Sequence, residues 1–171
     1  MNILITGKPG VGKTTLIQKI VTKSGLLYQG FYTREIRQTV EKRVGFEIVT
    51  FDGRTALLAH SGYLTPYRVG KYFVNIDNIN RVIVPCLEDA IEHAQLIIID
   101  EIGKMELLSP YFRKSILKAL ACPKPVLGTI TLAKMPIVNK IKSRTDVYLL
   151  DLKRNNQKEI YQLIMDLLTE N

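Results

Sequence analysis

Two short stretches carry residue types at spacings that suit chemistry on a phosphate chain. Gly7 to Thr14, GKPGVGKT, satisfies the pattern Gly, four residues, Gly, Lys, then Ser or Thr without a mismatch. Glycines at 7, 10 and 12, with Lys8, Pro9 and Val11 between them, leave the backbone free to turn its N–H groups inward around an anion. In that frame Lys13 reaches the β- and γ-phosphates as a point charge. Thr14 offers a hydroxyl to Mg²⁺, and Thr15 follows it into the first helical turn. The second stretch is Asp100-Glu101, at the end of the apolar run Leu96-Ile97-Ile98-Ile99. Mg²⁺ bridging two phosphates needs a carboxylate beyond the single loop hydroxyl, and Asp100 is placed to supply it. Side chains of neighbouring strand residues diverge, so with Asp100 toward the metal, Glu101 is free to orient or deprotonate a water. The plain alternatives are a Gly-rich turn and a strand that ends in two solvated acids.

The elements that must position these residues can be read around them. Asn2 to Thr6 reads as a buried strand, and Leu16, Ile17, Ile20 and Val21 mark one face of a helix from Thr14 to Lys23, with Gly25 as its stop. Residues 28 to 60 change period to successive β-segments broken at Glu41-Lys42-Arg43 and Asp52-Gly53. Residues 61 to 70 read as an exposed loop, 71 to 76 as a short strand, and Asp77 or Asn78 as the cap of a helix that Pro85 should kink or break. Leu96 to Ile99 suits a central parallel strand. Ser109-Pro110 opens a helix, 126 to 130 and 147 to 150 are strands, 134 to 143 is a short helix, and a last helix starts near Asn156 with Ile160, Leu163, Ile164, Leu167 and Leu168 on one stripe. The expected fold is α/β of the P-loop three-layer type: a mostly parallel central sheet, helices on both faces, and an antiparallel β-hairpin insertion after the first helix.

At 171 residues the chain is expected to form one domain, 1–171. With 46% hydrophobic and 23% charged residues it is composed like a globular protein, and no apolar run has the length to span a bilayer. Only five residues of strand precede the glycine loop, so a cleaved leader would destroy it, and two isolated cysteines, Cys86 and Cys122, suit a reducing compartment. A cytoplasmic location is therefore expected. His60 and His93 show no metal-ligand spacing. The net charge of +8 comes from scattered Lys and Arg, which suits capture of a polyanionic triphosphate; nucleic acid stays possible but is not indicated, no membrane is implied, and a monomer is favoured.

Four functions compete on these residues. Asp100-Glu101 favours a nucleoside-triphosphate hydrolase. A nucleotide or nucleoside kinase would use the same loop, but Arg34, Arg37, Arg113 and Arg144 are too dispersed to show a lid. Asp100-Glu101-Ile102-Gly103 also satisfies the DxxG of regulatory GTPases, yet Asn139-Lys140-Ile141-Lys142 has Lys where reading guanine requires a carboxylate. A nucleic-acid-binding protein with a nucleotide switch is the fourth.

The ordered set GKPGVGKTTL (7–16), GFYTREIR (30–37), GFEIVTF (45–51), VGKYFVNI (69–76), LIIIDEIGKMEL (96–107) and VLGTI (126–130) resembles the small P-loop nucleoside-triphosphatase family first known from thermophiles and also found in animals. The resemblance covers nearly the whole chain and rests most on GFYTREIR with DEIGKMEL. It implies slow, Mg²⁺-dependent hydrolysis of ATP, GTP and other nucleoside triphosphates to diphosphate and phosphate, with little base selectivity. It also implies that Gly7 to Thr14 bind phosphate and that Asp100 to Gly103 complete the site. Lys104 and Glu106 lie inside the matching motif without an evident chemistry.

Overall fold

The computed structural model describes residues 1–170. A nine-stranded sheet runs through it, built from β1 (Asn2–Thr6), β2 (Tyr28–Arg37), β3 (Arg43–Thr50), β4 (Thr55–His60), β5 (Arg68–Val69), β6 (Tyr72–Val74), β7 (Leu96–Ile102), β8 (Val126–Ile130) and β9 (Val147–Asp151). The spatial order is β5-β6-β4-β3-β2-β7-β8-β1-β9. From β2 to β9 neighbouring strands are parallel, and from β2 to β5 they are antiparallel. The expectation of a mostly parallel sheet is thus corrected to an even division. The hairpin insertion extends the sheet, but its first strand does double duty: β2 pairs in parallel with β7, Tyr28 opposite Leu96, and antiparallel with β3 on its other side.

Strand alternation sorts the core into two layers. Ile3 and Ile5 of β1, Leu96 and Ile98 of β7 and Leu127 of β8 pack on one face with α1 (Lys13–Ser24) and α6 (Gln157–Thr169). Leu4, Ile97, Ile99 and Val126 face the other way, onto α3 (Val84–His93), α4 (Pro110–Ala121) and α5 (Pro136–Lys142). Helices therefore flank the sheet on both sides. Leu163, expected on the buried stripe of α6, is 41% exposed, because the face against the sheet is set by Ile160, Ile164 and Leu168.

Two local features differ from expectation for clear reasons. Asn75, not Asp77 or Asn78, caps the short α2 (Ile76–Asn78), its Oδ1 accepting the Asn78 N–H. Pro85 does not break the helix. The chain passes from α2 through a π-helical stretch, Ile79–Ile83, straight into α3, and Pro85, which has no N–H to donate, follows directly on that irregular stretch. Among the described residues no helix is long and apolar enough to cross a membrane.

Candidate functional site

The glycine loop joins β1 to α1 at the C-terminal edge of the sheet. Gly7, Gly10 and Gly12 all have positive φ, and at Gly7 a Cβ would stand 2.6 Å from the Leu152 carbonyl oxygen, so any side chain would push the loop off β9's exit. Gly12 begins α1 with no side-chain cap, and the first turn holds no acidic residue. Its N–H groups and the positive end of the helix dipole are left for an external anion. Lys13 Nζ donates to the carbonyls of Gly7 (3.0 Å) and Lys8 (3.2 Å), which spans the ammonium across the mouth of the loop.

Asp100 and Glu101 come to the same place from β7. The ladder with β8 is interrupted between Ile99 and Ile102, so this dipeptide sits at an irregularity rather than on a regular pleat. Both side chains therefore line one cleft of about 520 Å³ together with Pro9, Gly10, Gly12, Lys13, Thr14 and Thr15. The divergence expected of strand neighbours is not what separates their surroundings; depth is. Asp100 is 3% exposed, and its Oδ1 accepts a hydrogen bond from the Thr129 hydroxyl (2.6 Å), while Oδ2 is buried without a hydrogen-bond partner among the described residues. Burial raises its pKa; Thr129, the Thr14 hydroxyl and the Lys13 charge pull the other way. Glu101 is half-buried and also raised, by desolvation first and then by the Asp100 charge.

A buried carboxylate with one oxygen unpaired, close enough to the Thr14 hydroxyl for that group to lower its pKa, suits a hard cation that keeps phosphate and water oxygens as its other ligands. Thr14 and Asp100 are the residues that would hold Mg²⁺. Its charge would return Asp100 to the ionised form that burial disfavours.

Other expected residues fall into place less directly. Gly7, Lys8, Pro9, Gly10 and Val11 also border a second cleft of about 650 Å³, closed by Leu132, Asp151, Leu152, Lys153 and Arg154. Ile102 does not join the site: it is fully buried in the core, paired with Ile130. Gly103 works by absence of a side chain. A Cβ there would lie 2.5 Å from Glu101 Oε1 and 2.7 Å from Glu106 Oε2, so the glycine makes room for two carboxyls at once. Glu106, on a 3₁₀ turn (Glu106–Leu108), is 3% exposed and held well above the usual carboxylate range by desolvation and then by Glu101. Asn139 to Lys142, compared above with a guanine-reading motif, lie on α5 and border neither cleft.

Sequence reasoning missed Thr129 and the far wall of the phosphate cleft, Thr33, Arg34, Glu35, Arg43 and Phe46 of β2 and β3. Thr129 left one signal, a lone hydroxyl near the end of an otherwise apolar strand.

With this geometry stands a set of close relatives. A family profile described as NTPase matches residues 2–165. The nucleoside-triphosphatase THEP1 of Thermotoga maritima is 47% identical over all of this chain and 97% of its own length. The chain belongs to the THEP1 family of small nucleoside-triphosphatases, found in thermophiles and animals. The human cancer-related nucleoside-triphosphatase is 35% identical, covering 93% of this chain and 92% of its own. The crystal structure of Aquifex aeolicus THEP1 superposes with a TM-score of 0.89 at 37% identity, over 98% of this chain and 99% of that one. Likeness to THEP1 proteins across the full length goes with a mixed α/β fold, a central sheet with flanking helices, consistent with a P-loop NTPase-like fold.

Proposed function

We propose that this THEP1-family chain is a single-domain enzyme of the P-loop three-layer type that hydrolyses nucleoside triphosphates to diphosphate and phosphate, with Mg²⁺ and with little regard for the base. The observation that carries the reading is the convergence of Lys13, Thr14, Asp100 and Glu101 on one cleft. The loop N–H groups and the uncapped start of α1 bind the phosphate chain, and Lys13 leaves the Gly7 and Lys8 carbonyls for phosphate oxygens. Thr14 and Asp100 would hold Mg²⁺, which would supply positive charge to offset the charge that gathers on the leaving diphosphate. Glu101 orients a water toward the γ-phosphorus and accepts its proton; its raised pKa makes it a stronger base than an exposed glutamate. The rest of the loop from Gly10 to Thr15, and Gly103, support these groups through backbone and packing.

The second cleft is the natural seat for sugar and base. Its walls are aliphatic at Val11, Leu132 and Leu152, and its one carboxylate, Asp151, is paired to Lys153 at 3.3 Å. Such a surface stacks any base and reads none strongly. The test is phosphate release from ATP, GTP, CTP and UTP with Mg²⁺, in wild type and Lys13→Ala. All four should turn over, and Lys13→Ala should remove turnover at unchanged melting temperature. A kcat/KM preference above roughly a hundredfold, about 2.7 kcal/mol, for one base would contradict the open base site.

A further inference from the structure

The far wall of the phosphate cleft is not neutral ground. It brings Arg34 and Arg43 opposite the glycine loop, Asp100 and Glu101, and the two arginines are held in different ways. Arg34 is 54% exposed along its side chain and tied to Glu47 by Nε at 2.6 Å. Arg43 is built in. Its Nε donates to the Tyr72 hydroxyl at 2.9 Å, its Nη1 to Glu35 Oε1 at 2.6 Å, and its guanidinium carbon lies 4.9 Å from the Phe46 ring centre and 5.7 Å from that of Tyr72. Tyr72 is itself 7% exposed and set edge-on to Phe46 at 5.1 Å. Nη2 of Arg43 makes no hydrogen bond among the described residues. Nε and Nη1 are thus committed on two different sides of the guanidinium, its face rests on aromatic rings, and Nη2 is left uncommitted in a residue that lines the cleft.

We propose that Arg43 is a further catalytic residue, an arginine supplied from the chain's own β3 that donates Nη2 to the γ-phosphate oxygens as charge gathers on them. This rests on the hydrolase reading above and extends it. A phosphoryl group in flight spreads negative charge over its equatorial oxygens, and Lys13 with a metal at Thr14 and Asp100 meets it from one side only. A cation whose geometry is already fixed by Tyr72, Glu35 and Phe46 meets it from the other side without reorganising, which is where such a charge stabilises most. The position also accounts for the antiparallel half of the sheet: β2, β3 and the Tyr72 strand carry the arginine and its holders. The covalent change is that of hydrolysis alone: the water oxygen bonds the γ-phosphorus, the β–γ anhydride breaks, and the water's proton passes to Glu101, while Arg43 keeps its protons throughout and acts by hydrogen bonding.

The test compares wild type, Arg43→Ala and Arg43→Lys for steady-state turnover, for MgADP affinity, and for trapping of MgADP with aluminium fluoride, a mimic of the phosphoryl group in flight. Arg43→Ala should lower kcat by about a hundredfold or more while KM and MgADP affinity move by less than about threefold. It should fail to trap the fluoride complex. Arg43→Lys should not recover, because an ammonium lacks the fork that Tyr72 and Glu35 orient, and millimolar guanidinium should restore part of the turnover of Arg43→Ala. A merely structural arginine would show no such rescue. Turnover of Arg43→Ala within about threefold of wild type, or a loss of MgADP affinity as large as the loss of kcat, overturns the proposal. Should wild type release no phosphate, the hydrolase reading falls by itself, and the fluoride trap still decides whether Arg43 contacts the γ-position.

Discussion

Asp100 and Glu101 share a cleft, yet a conservative change at each should leave different traces. Glu101→Gln keeps the shape of the side chain and both metal-holding residues, so nucleotide and Mg²⁺ should bind as before. It removes the proton acceptor, and kcat should fall by roughly 10²–10⁴, the range general-base catalysis supplies. Asp100→Asn acts on the ground state as well. Its buried Oδ2 would be replaced by an amide or a neutral carbonyl, and the Mg²⁺ concentration for half-maximal binding and for half-maximal turnover should both rise. Titrating Mg²⁺ in single-turnover phosphate release separates the two: a normal rate in Glu101→Gln, or phosphate passed to an added nucleoside much faster than to water, would sink the hydrolase in favour of a kinase. These residues were legible in the sequence because each half of the site is contiguous. The glycine loop occupies eight successive positions and the two acids sit together at the end of an apolar run. Arg43, Phe46 and Thr129 were not legible, since their place in the site depends on which strands lie side by side.

That dependence is clearest in the elements themselves. Most strands and helices could be read from period and punctuation, including Gly25 after α1 and Ser109-Pro110 before α4. What could not be read is that β2 lies between β7 and β3, because a strand's side-chain pattern records which of its faces are buried and not which neighbours it pairs with or which direction they run. The π-helical entry to α3 was equally hidden, being the outcome of packing Ile79 and Ile83 into the core ahead of Pro85. Ser109 tests how firmly such an element is anchored. It is fully buried, caps α4 by accepting the Phe112 N–H at 3.1 Å, and donates its own hydroxyl to Asn80 in the π-helical stretch. Ser109→Ala removes the cap and leaves the buried Phe112 N–H unmet and the part-buried Asn80 oxygen without its donor, at a cost of about 1–2 kcal/mol. For a chain of this length that lowers the melting temperature by roughly 2–8 °C. Turnover at 25 °C should be unchanged, since α4 packs on the face of the sheet that Phe112 shares with Phe31 and forms no wall of the phosphate cleft.

Over the whole molecule, two groups among the carboxyls that the fold shifts have opposite effects on stability. Asp52 and Asp146 are held below the usual range, first by hydrogen bonds from Arg54 and Arg144 respectively. Their contribution is present above the unfolded pKa and is lost only as pH falls through the lower folded value, in the acid range. Asp100, Glu101 and Glu106 are raised, each by desolvation first. For these the folded protein binds the proton more tightly than the unfolded chain. Their contribution is therefore complete below an ordinary carboxylate pKa of about 4 and is lost as pH rises through the raised folded values. The nucleotide-free, metal-free protein should accordingly melt at a lower temperature at pH 8 than at pH 5. Glu106→Gln isolates the deepest of the three: it keeps the shape of the protonated acid but cannot ionise. The variant should show a smaller drop in melting temperature between pH 5 and pH 8 than wild type, and should match or exceed wild type at pH 8. Saturating MgADP should flatten the wild-type curve further, because a cation held by Thr14 and Asp100 favours the ionised carboxylates that the empty cleft penalises. Melting curves across that pH range, with and without MgADP, check all three expectations. An equal pH dependence in wild type and Glu106→Gln would show that Glu106 ionises as easily in the folded protein as in the unfolded chain, which a carboxyl 3% exposed beside Glu101 should not do.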